Sequence, residues 1–267
     1  MPHETLSVAR EGPVLKVVMD RPEAGNALSP VMVRELTELF QLAHAEAGIR
    51  AVVLSGAGGT FCAGGDLKGM ERADADGGGV PPPGAANRRF GALLELADAV
   101  PKAVIALIEG AAMGGGVGLI AIADWAIAEK SAQFGTPEVT VGLLPAQIAP
   151  FLAARIGSTH ARRMASFGLR LGADEALRIG LVHELADGGD DLIAKGVGAV
   201  NQVLRCAPQA VAETKKLMRT CLREPLTSTL DAASHQFAAA RAGEGREGIR
   251  AFLEKRSPSW LVKVEKL

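Results

Sequence analysis

Val104-Ile105-Ala106-Leu107-Ile108-Glu109-Gly110-Ala111-Ala112-Met113-Gly114-Gly115-Gly116-Val117-Gly118 decides the reading of this chain. Its first five residues are an unbroken apolar run, the length and composition of a buried strand. The run gives way to glycines, and such a turn into a helix leaves free N–H groups where the positive end of the helix dipole also lies. Negative oxygen is favoured at that point. A second segment repeats the arrangement upstream: the apolar run Ala51 to Leu54 ends in Ser55-Gly56-Ala57-Gly58-Gly59 and leads to Phe61-Cys62-Ala63-Gly64-Gly65-Asp66-Leu67-Lys68. Close packing of a helix on a sheet would also explain glycines here.

Outward from these turns, Leu6 to Arg10 and Val14 to Met19 read as strands joined by the hairpin signal Glu11-Gly12-Pro13. Pro30 opens a helix that aligns Met32, Leu36, Leu39, Phe40 and Ala43 on one face. Ala126 to Ala128, Ala132 to Phe134 and Leu181 to Leu185 read as short strands, while the pattern from Pro150 onward is mainly helical. Pro208 to Leu222 and Leu226 to Arg241 are expected to be amphipathic helices that pack on the core or on another subunit. The stretch from Glu71 to Asn87 carries three consecutive glycines and Pro81-Pro82-Pro83, a composition that reads as a loop. Both a site entrance and a tolerated surface insertion suit it. Strand and helix units followed by helices indicate α/β architecture.

Composition excludes several classes. With 267 residues, 48% hydrophobic, the chain can bury a sizeable core. Its 29 basic and 30 acidic side chains give no field that would draw nucleic acid or an anionic membrane, so neither is expected as a partner. No targeting segment or spanning run is recognisable, and the expected compartment is the cytoplasm. Three distant cysteines, Cys62, Cys206 and Cys221, argue for free thiols. The five histidines have no paired-ligand spacing, so no metal is expected. A P-loop needs a Gly-Lys pair and a dinucleotide fingerprint needs GxGxxG; the glycine segments supply neither, and GxSxG is absent as well.

Phe61-Cys62-Ala63-Gly64-Gly65-Asp66-Leu67, Gly110-Ala111-Ala112-Met113-Gly114-Gly115-Gly116 and Phe134-Gly135-Thr136-Pro137-Glu138-Val139 with Gly142-Leu143-Leu144-Pro145 resemble, in order and spacing, the crotonase superfamily of enoyl-CoA hydratases and isomerases. Matches at Asp20-Arg21-Pro22, Asn26-Ala27-Leu28 and the segment 247–256 extend the resemblance over nearly the whole chain. The resemblance implies an α/β spiral of ββα units over 1–195 that binds acyl-CoA. A C-terminal helical region over 196–267 would make a homotrimer or a dimer of trimers. By motif position, Gly65 and Gly115 supply the N–H donors to a thioester oxygen and Glu138 moves the proton. Ala24, Asn26, Ala27, Ala63, Gly64, Asp66, Leu67, Lys68 and Gly114 would line the substrate, although Lys68 reads equally as a solvated lysine. Asp124 matches a structural aspartate, expected to be buried and hydrogen-bonded. No separate cofactor is implied, because coenzyme A is part of the substrate.

The chain departs from the family at one point. Straight-chain hydratases carry a second glutamate two residues past the triple glycine, and Gly118 stands there. Two carboxylates can divide a water between them, whereas one suits a proton shuttle between carbons. The segments 113–119 and 144–151 look like a bacterial branch that hydrates branched glutaconyl-type CoA esters, where glycine is usual at this point. The expected activity is therefore hydration of a 2-enoyl-CoA with one glutamate. The alternatives are Δ3/Δ2-enoyl-CoA isomerisation and an inactive acyl-CoA-binding homologue.

Overall fold

A computed structural model describes residues 3–69, 84–221 and 223–267. Strand β1 (Leu6–Glu11) pairs antiparallel with β2 (Val14–Met19) through a turn in which Gly12 takes φ +54°, a conformation that costs a side-chain-bearing residue energy. From β2 the sheet continues in parallel through β3 (Ala51–Gly56), β4 (Ala103–Ile108), β6 (Trp125–Glu129) and β9 (Glu184–Ala186). The apolar run of β4 follows from covering both faces of this sheet. Val104, Ala106 and Ile108 enter the larger core with α1 (Pro30–Ala45), α2 (Ala85–Ala99), α3 (Gly115–Ala121) and α4 (Ala149–Ser166). Ala103, Ile105 and Leu107 face the other way, onto Leu192, Ala199, Val200 and Leu204 of α6 (Gly189–Leu204). Each fully buried aliphatic side chain contributes about 1.5–3 kcal/mol, and a charge at Ile105 would forfeit that and add a desolvation cost.

A second sheet of short pieces runs alongside: β5 (Ala111–Met113), β7 (Gln133–Gly135) and β8 (Arg170–Gly172). Isolated bridges extend it, joining Cys62 to Ala112 and Leu28 to Gly65. Three strands of the large sheet are thus each followed by a short extended piece and then a helix. β2 leads through Leu28 to α1, β4 through β5 to α3, and β6 through β7 to α4. This is the ββα spiral, and the junctions between short pieces and helices stack beside one another.

Local signals account for the helix ends. Ser29 Oγ accepts from Met32 N at 3.2 Å, capping α1, and Pro30 occupies the first turn, where its missing N–H costs nothing. The five apolar residues of the anticipated face, Met32, Leu36, Leu39, Phe40 and Ala43, are all buried.

Four expectations need correction. Ala85, Ala86 and Asn87 begin α2 rather than ending a loop, and residues 70–83 of the anticipated loop lie outside the described residues. The strand anticipated over Leu181 to Leu185 starts only at Glu184. Gly180, at φ +79°, closes α5 (Ala173–Arg178), and Leu181 N and Val182 N are taken by Ala176 O, so they finish a helix cap before the ladder begins. The boundary at 195 falls inside α6, which packs on the sheet throughout; the change of character comes after Leu204. Asp124 is hydrogen-bonded as expected, to Val104 N at 2.7 Å and Lys215 Nζ at 2.6 Å, but its side chain keeps 36% exposure rather than being buried. One short strand within the mainly helical half, β8, was not anticipated, because three residues are too few to show a period. The C-terminal helices are α7 (Pro208–Thr220), α8 (Leu226–Ala242) and α9 (Glu244–Leu253). No helix among the described residues is long and apolar enough to cross a membrane.

Candidate active site

The loop from Pro22 to Leu28 is fixed from within. Asn26, fully buried at φ +56°, accepts from Arg21 N and donates to Ala57 O and Thr60 O. Its carboxamide is therefore committed to backbone, and its contribution to any ligand is the shape of the loop. Arg21 ties this loop to the next, with Nη1 donating to Ala27 O at 2.9 Å and to Asp66 Oδ2 at 3.3 Å. Asp66 Oδ1 also accepts from Gly69 N at 2.9 Å, so this carboxylate is a loop clamp as well. Ala63, Leu67 and Lys68 are exposed beside it, while Ala27 and Gly64 are buried and Ala24 is half-buried.

Gly65 lies opposite Leu28 in a parallel bridge made by Leu28 N to Gly64 O at 2.7 Å and Asp66 N to Leu28 O at 3.3 Å. In such a bridge the flanking residues bond to the partner strand, and the central N–H is turned to the other edge. Gly115 opens α3, so its N–H has no acceptor within the helix. Neither amide donates a hydrogen bond among the described residues. The two glycines share a neighbour: a Cβ on Gly115 would meet Leu28 Cδ1 at 2.5 Å and Phe90 Cζ at 3.3 Å. Gly64 and Gly114 are also in contact, with a Cβ on Gly64 lying 3.1 Å from Met113 O and 3.8 Å from Gly114 Cα. The glycines thus permit two backbone turns to meet with no side chain between them.

Glu138 reaches the same junction from the short 3-10 turn Pro137–Val141, which Gly142 ends at φ +76°. A Cβ on Gly114 would stand 2.9 Å from Glu138 Oε1. Glu138 Oε2 is buried and accepts no hydrogen bond among the described residues. Burial pushes the carboxyl above its ordinary range, and a hydrogen bond from its own backbone N–H only partly opposes the shift. Cys62 lies beneath, buried and pushed up to about 12 by desolvation, which makes it an inert packing thiol. It packs where a Cβ on Gly116 would lie 2.9 Å from its own Cβ.

The position two residues past the triple glycine is filled. A Cβ on Gly118 would meet Ile148 Cγ2 at 2.5 Å and Leu94 Cδ1 at 3.3 Å, and both side chains are buried. Leu28, Phe90, Leu94 and Ile148 therefore shape the site, and the sequence reading missed them. For Phe90 and Leu94 the signal was the α2 periodicity, hidden by the loop-like composition just before it; Leu28 and Ile148 lay in the quoted family-like segments without a role assigned. The arrangement places two free backbone donors and one poorly solvated carboxyl around a junction walled by apolar groups. Such a set can hold an oxyanion and move a proton, and among the described residues it has a single carboxyl to do so.

Residues 9–263 match the enoyl-CoA hydratase/isomerase family model. An enoyl-CoA hydratase/isomerase from Marinobacter aquaeolei superposes with a TM-score of 0.92 at 46% identity, covering 97% of this chain and 100% of that one. Pseudomonas aeruginosa AtuE gives 0.93 at 46% identity with the same coverage. A mevalonyl-coenzyme A hydratase of Beauveria bassiana is 32% identical over 256 residues, 92% of this chain and 91% of that protein. The chain belongs to the enoyl-CoA hydratase/isomerase family and has the crotonase fold.

Proposed function

We propose that this enzyme adds water across the double bond of a 2-enoyl-CoA thioester, with Gly65 N and Gly115 N holding the thioester oxygen and Glu138 as acid and base. The observation that carries the reading is Glu138: a carboxyl with one buried, unpartnered oxygen, set against the glycine junction. Glu138 takes a proton from water as the water oxygen bonds to Cβ. The electron pair of the double bond moves into an enolate whose oxygen the two amides stabilise. Collapse of the enolate takes the proton back from Glu138 at Cα, so the carboxylate ends as it began. A pKa above the ordinary carboxyl range suits a group that must give and take within one cycle.

The coenzyme A portion would run past Ala24 to Ala27 and Ala63 to Lys68, and Lys68, exposed and without a salt bridge among the described residues, would meet phosphate. Branched, glutaconyl-type acyl groups are the proposed substrates. The helices after Leu204 would form the contacts of a homotrimer or dimer of trimers. Their faces expose Leu226 at 74%, Phe237 at 73% and Phe252 at 82%, more apolar surface than isolated helices leave to water.

The apolar filling around Gly118 favours a second reading, Δ3/Δ2 isomerisation, in which Glu138 carries a proton from Cα to Cγ and no water adds. Crotonyl-CoA and 3-methylglutaconyl-CoA, followed by loss of conjugated-thioester absorbance, test the first reading; the loss must vanish in Glu138→Gln. A 3-enoyl-CoA that gains conjugation in 18O-labelled water without taking up label would replace it with the second.

A further inference from the structure

Thr136 leads into the turn that carries Glu138, and the chemistry described so far makes no use of it. Its side chain is fully buried, at 0% exposure, yet Oγ1 makes no hydrogen bond among the described residues. A buried hydroxyl without a partner is destabilising, and valine, of nearly the same outline, would fill apolar space without it. Glu138 Oε2, two residues on, is in the same condition. A hydroxyl donates and an ionised carboxylate only accepts, so each group supplies what the other lacks.

Two features of the backbone bring these groups together. Gly114 N donates to Gly135 O at 2.8 Å, and the parallel register of β5 and β7, which ends with Met113 opposite Gly135, would set Thr136 opposite Gly114, about 4.8 Å away. Glu138 Oε1 stands against that same glycine. Thr136 also immediately precedes the 3-10 turn, a position from which a threonine oxygen commonly accepts the N–H two or three residues on. Here it caps no such group, and Glu138 N donates to its own carboxyl instead. The carboxyl is therefore gathered on the N–H that Thr136 would cap, where rotation about the Thr136 side-chain bond can bring the hydroxyl to it without moving the chain.

We propose that Thr136 is a positioning residue for Glu138: its hydroxyl donates to Oε2 of the ionised carboxyl and so keeps Oε1 turned to the glycine junction. The proposal rests on the hydratase reading for what the proton then does, whereas the contact belongs to the folded chain itself. The hydroxyl keeps its own proton throughout. One neutral donor offsets part of the effect of burial and leaves the carboxyl above its ordinary range. Around the junction, Arg21 is engaged by Asp66 and Arg163 of α4 by Glu175, Arg170 of β8 lies over Gly135, and the Cys62 thiol is neutral. None of them contributes to where Glu138 titrates, so loss of the hydroxyl can be read there.

Protein carrying 13C at its glutamate carboxyls, titrated by NMR with Glu138→Gln to identify the resonance, gives a readout that needs no turnover. Thr136→Val keeps the outline and removes the donor, so the Glu138 titration should move up by about one pH unit, a tenfold change in proton affinity. Thr136→Ser keeps the donor and should bring the titration back near the wild-type position. With crotonyl-CoA, Thr136→Val should lower kcat about tenfold at nearly constant KM and carry the ascending limb of the kcat–pH profile upward with the titration. Thr136→Ser should recover both. If the valine variant does not fold, Thr136→Ala against Thr136→Ser makes the same comparison. A titration that stays in place without the hydroxyl, or that the serine variant displaces as far as valine does, overturns the positioning role. A shift seen in a protein that hydrates no enoyl thioester supports the contact and defeats the hydratase reading, so the two failures are told apart.

Discussion

The spiral core and the C-terminal helices of this chain treat apolar surface in opposite ways. In the core, β4 is buried at every residue, and α1 turns six of its residues inward. Beyond Leu204, α7 buries none of its described residues, α8 buries Thr229 alone and α9 buries Ala251 alone. What holds the tail to the core is largely polar. Lys215 Nζ reaches Lys102 O and Asp124 Oδ2, both at 2.6 Å, Arg219 pairs with Asp98 at 3.1 Å, and Arg50 donates to Trp260 O and Cys206 O. The core is thus specified by its own packing, whereas the tail helices leave most of their apolar side chains exposed. The junction of Gly65, Gly115 and Glu138 belongs wholly to the first kind of region.

The largest effect that could break this division is at Glu138. Glu138→Gln keeps volume and removes the ability to exchange a proton, so turnover of any enoyl-CoA substrate should fall by about 1000-fold, within the range of positioned acid–base groups. Binding of a saturated acyl-CoA and the elution volume should stay as they were. Steady-state rates beside size-exclusion chromatography decide it; a variant that changed assembly would join the two regions that the structure separates.

Next in size is the attempt to restore a second carboxyl. Gly118→Glu must displace Ile148 or Leu94 and bury a charge among aliphatic groups, and it should destabilise the fold by about 3 kcal/mol without raising the hydration rate. Denaturant unfolding measures it. A stable variant with faster hydration would show that the apolar filling yields easily and that the single-carboxyl reading of the junction is mistaken.

How much of this was legible in the sequence follows from the same contrast. The six-residue strands and α1 could be read because each carries enough residues to display a period, and the ends of α1 are marked by Ser29 and Pro30. Gly64, Gly65, Gly114, Gly115 and Glu138 were found through their motifs, and the structure brings them to one junction. The three-residue strands β5 and β8 are too short to have a pattern of their own, and their existence depends on partners far along the chain. Asn26 and Asp66 were expected to face substrate, since a motif names a position without saying which atoms are already engaged.

A smaller effect tests the tail. Phe237→Asp with Phe252→Asp places charge on two of its most exposed aromatic positions, where the isolated chain tolerates it. Association should weaken by at least about tenfold per site, read by analytical ultracentrifugation, while the thermal transition of the dissociated chain moves little. A double variant that unfolds outright would mean that these faces stabilise the single chain, and the contrast between core and tail would need redrawing.

The smallest effect lies at the junction and has a sign that distinguishes it from ordinary destabilisation. Burial holds the Glu138 carboxyl above its ordinary range, so the folded chain binds that proton more tightly than the unfolded chain does. At a pH below the usual carboxyl range both states carry the proton, and burial of the charge costs nothing. As pH rises through the unfolded and then the folded titration, the unfolded state gives up its proton first, and the fold loses stability until both are ionised. Glu138→Gln removes this term. The variant should therefore melt higher than the wild type at pH 7, and the gap should narrow as the pH falls through the ordinary carboxyl range. Thermal unfolding at intervals between pH 4 and pH 8 provides the curve. A gap independent of pH would place the gain in packing rather than charge, and a variant less stable at pH 7 would mean that the carboxylate finds a partner in solution, leaving it a weaker base than the junction requires.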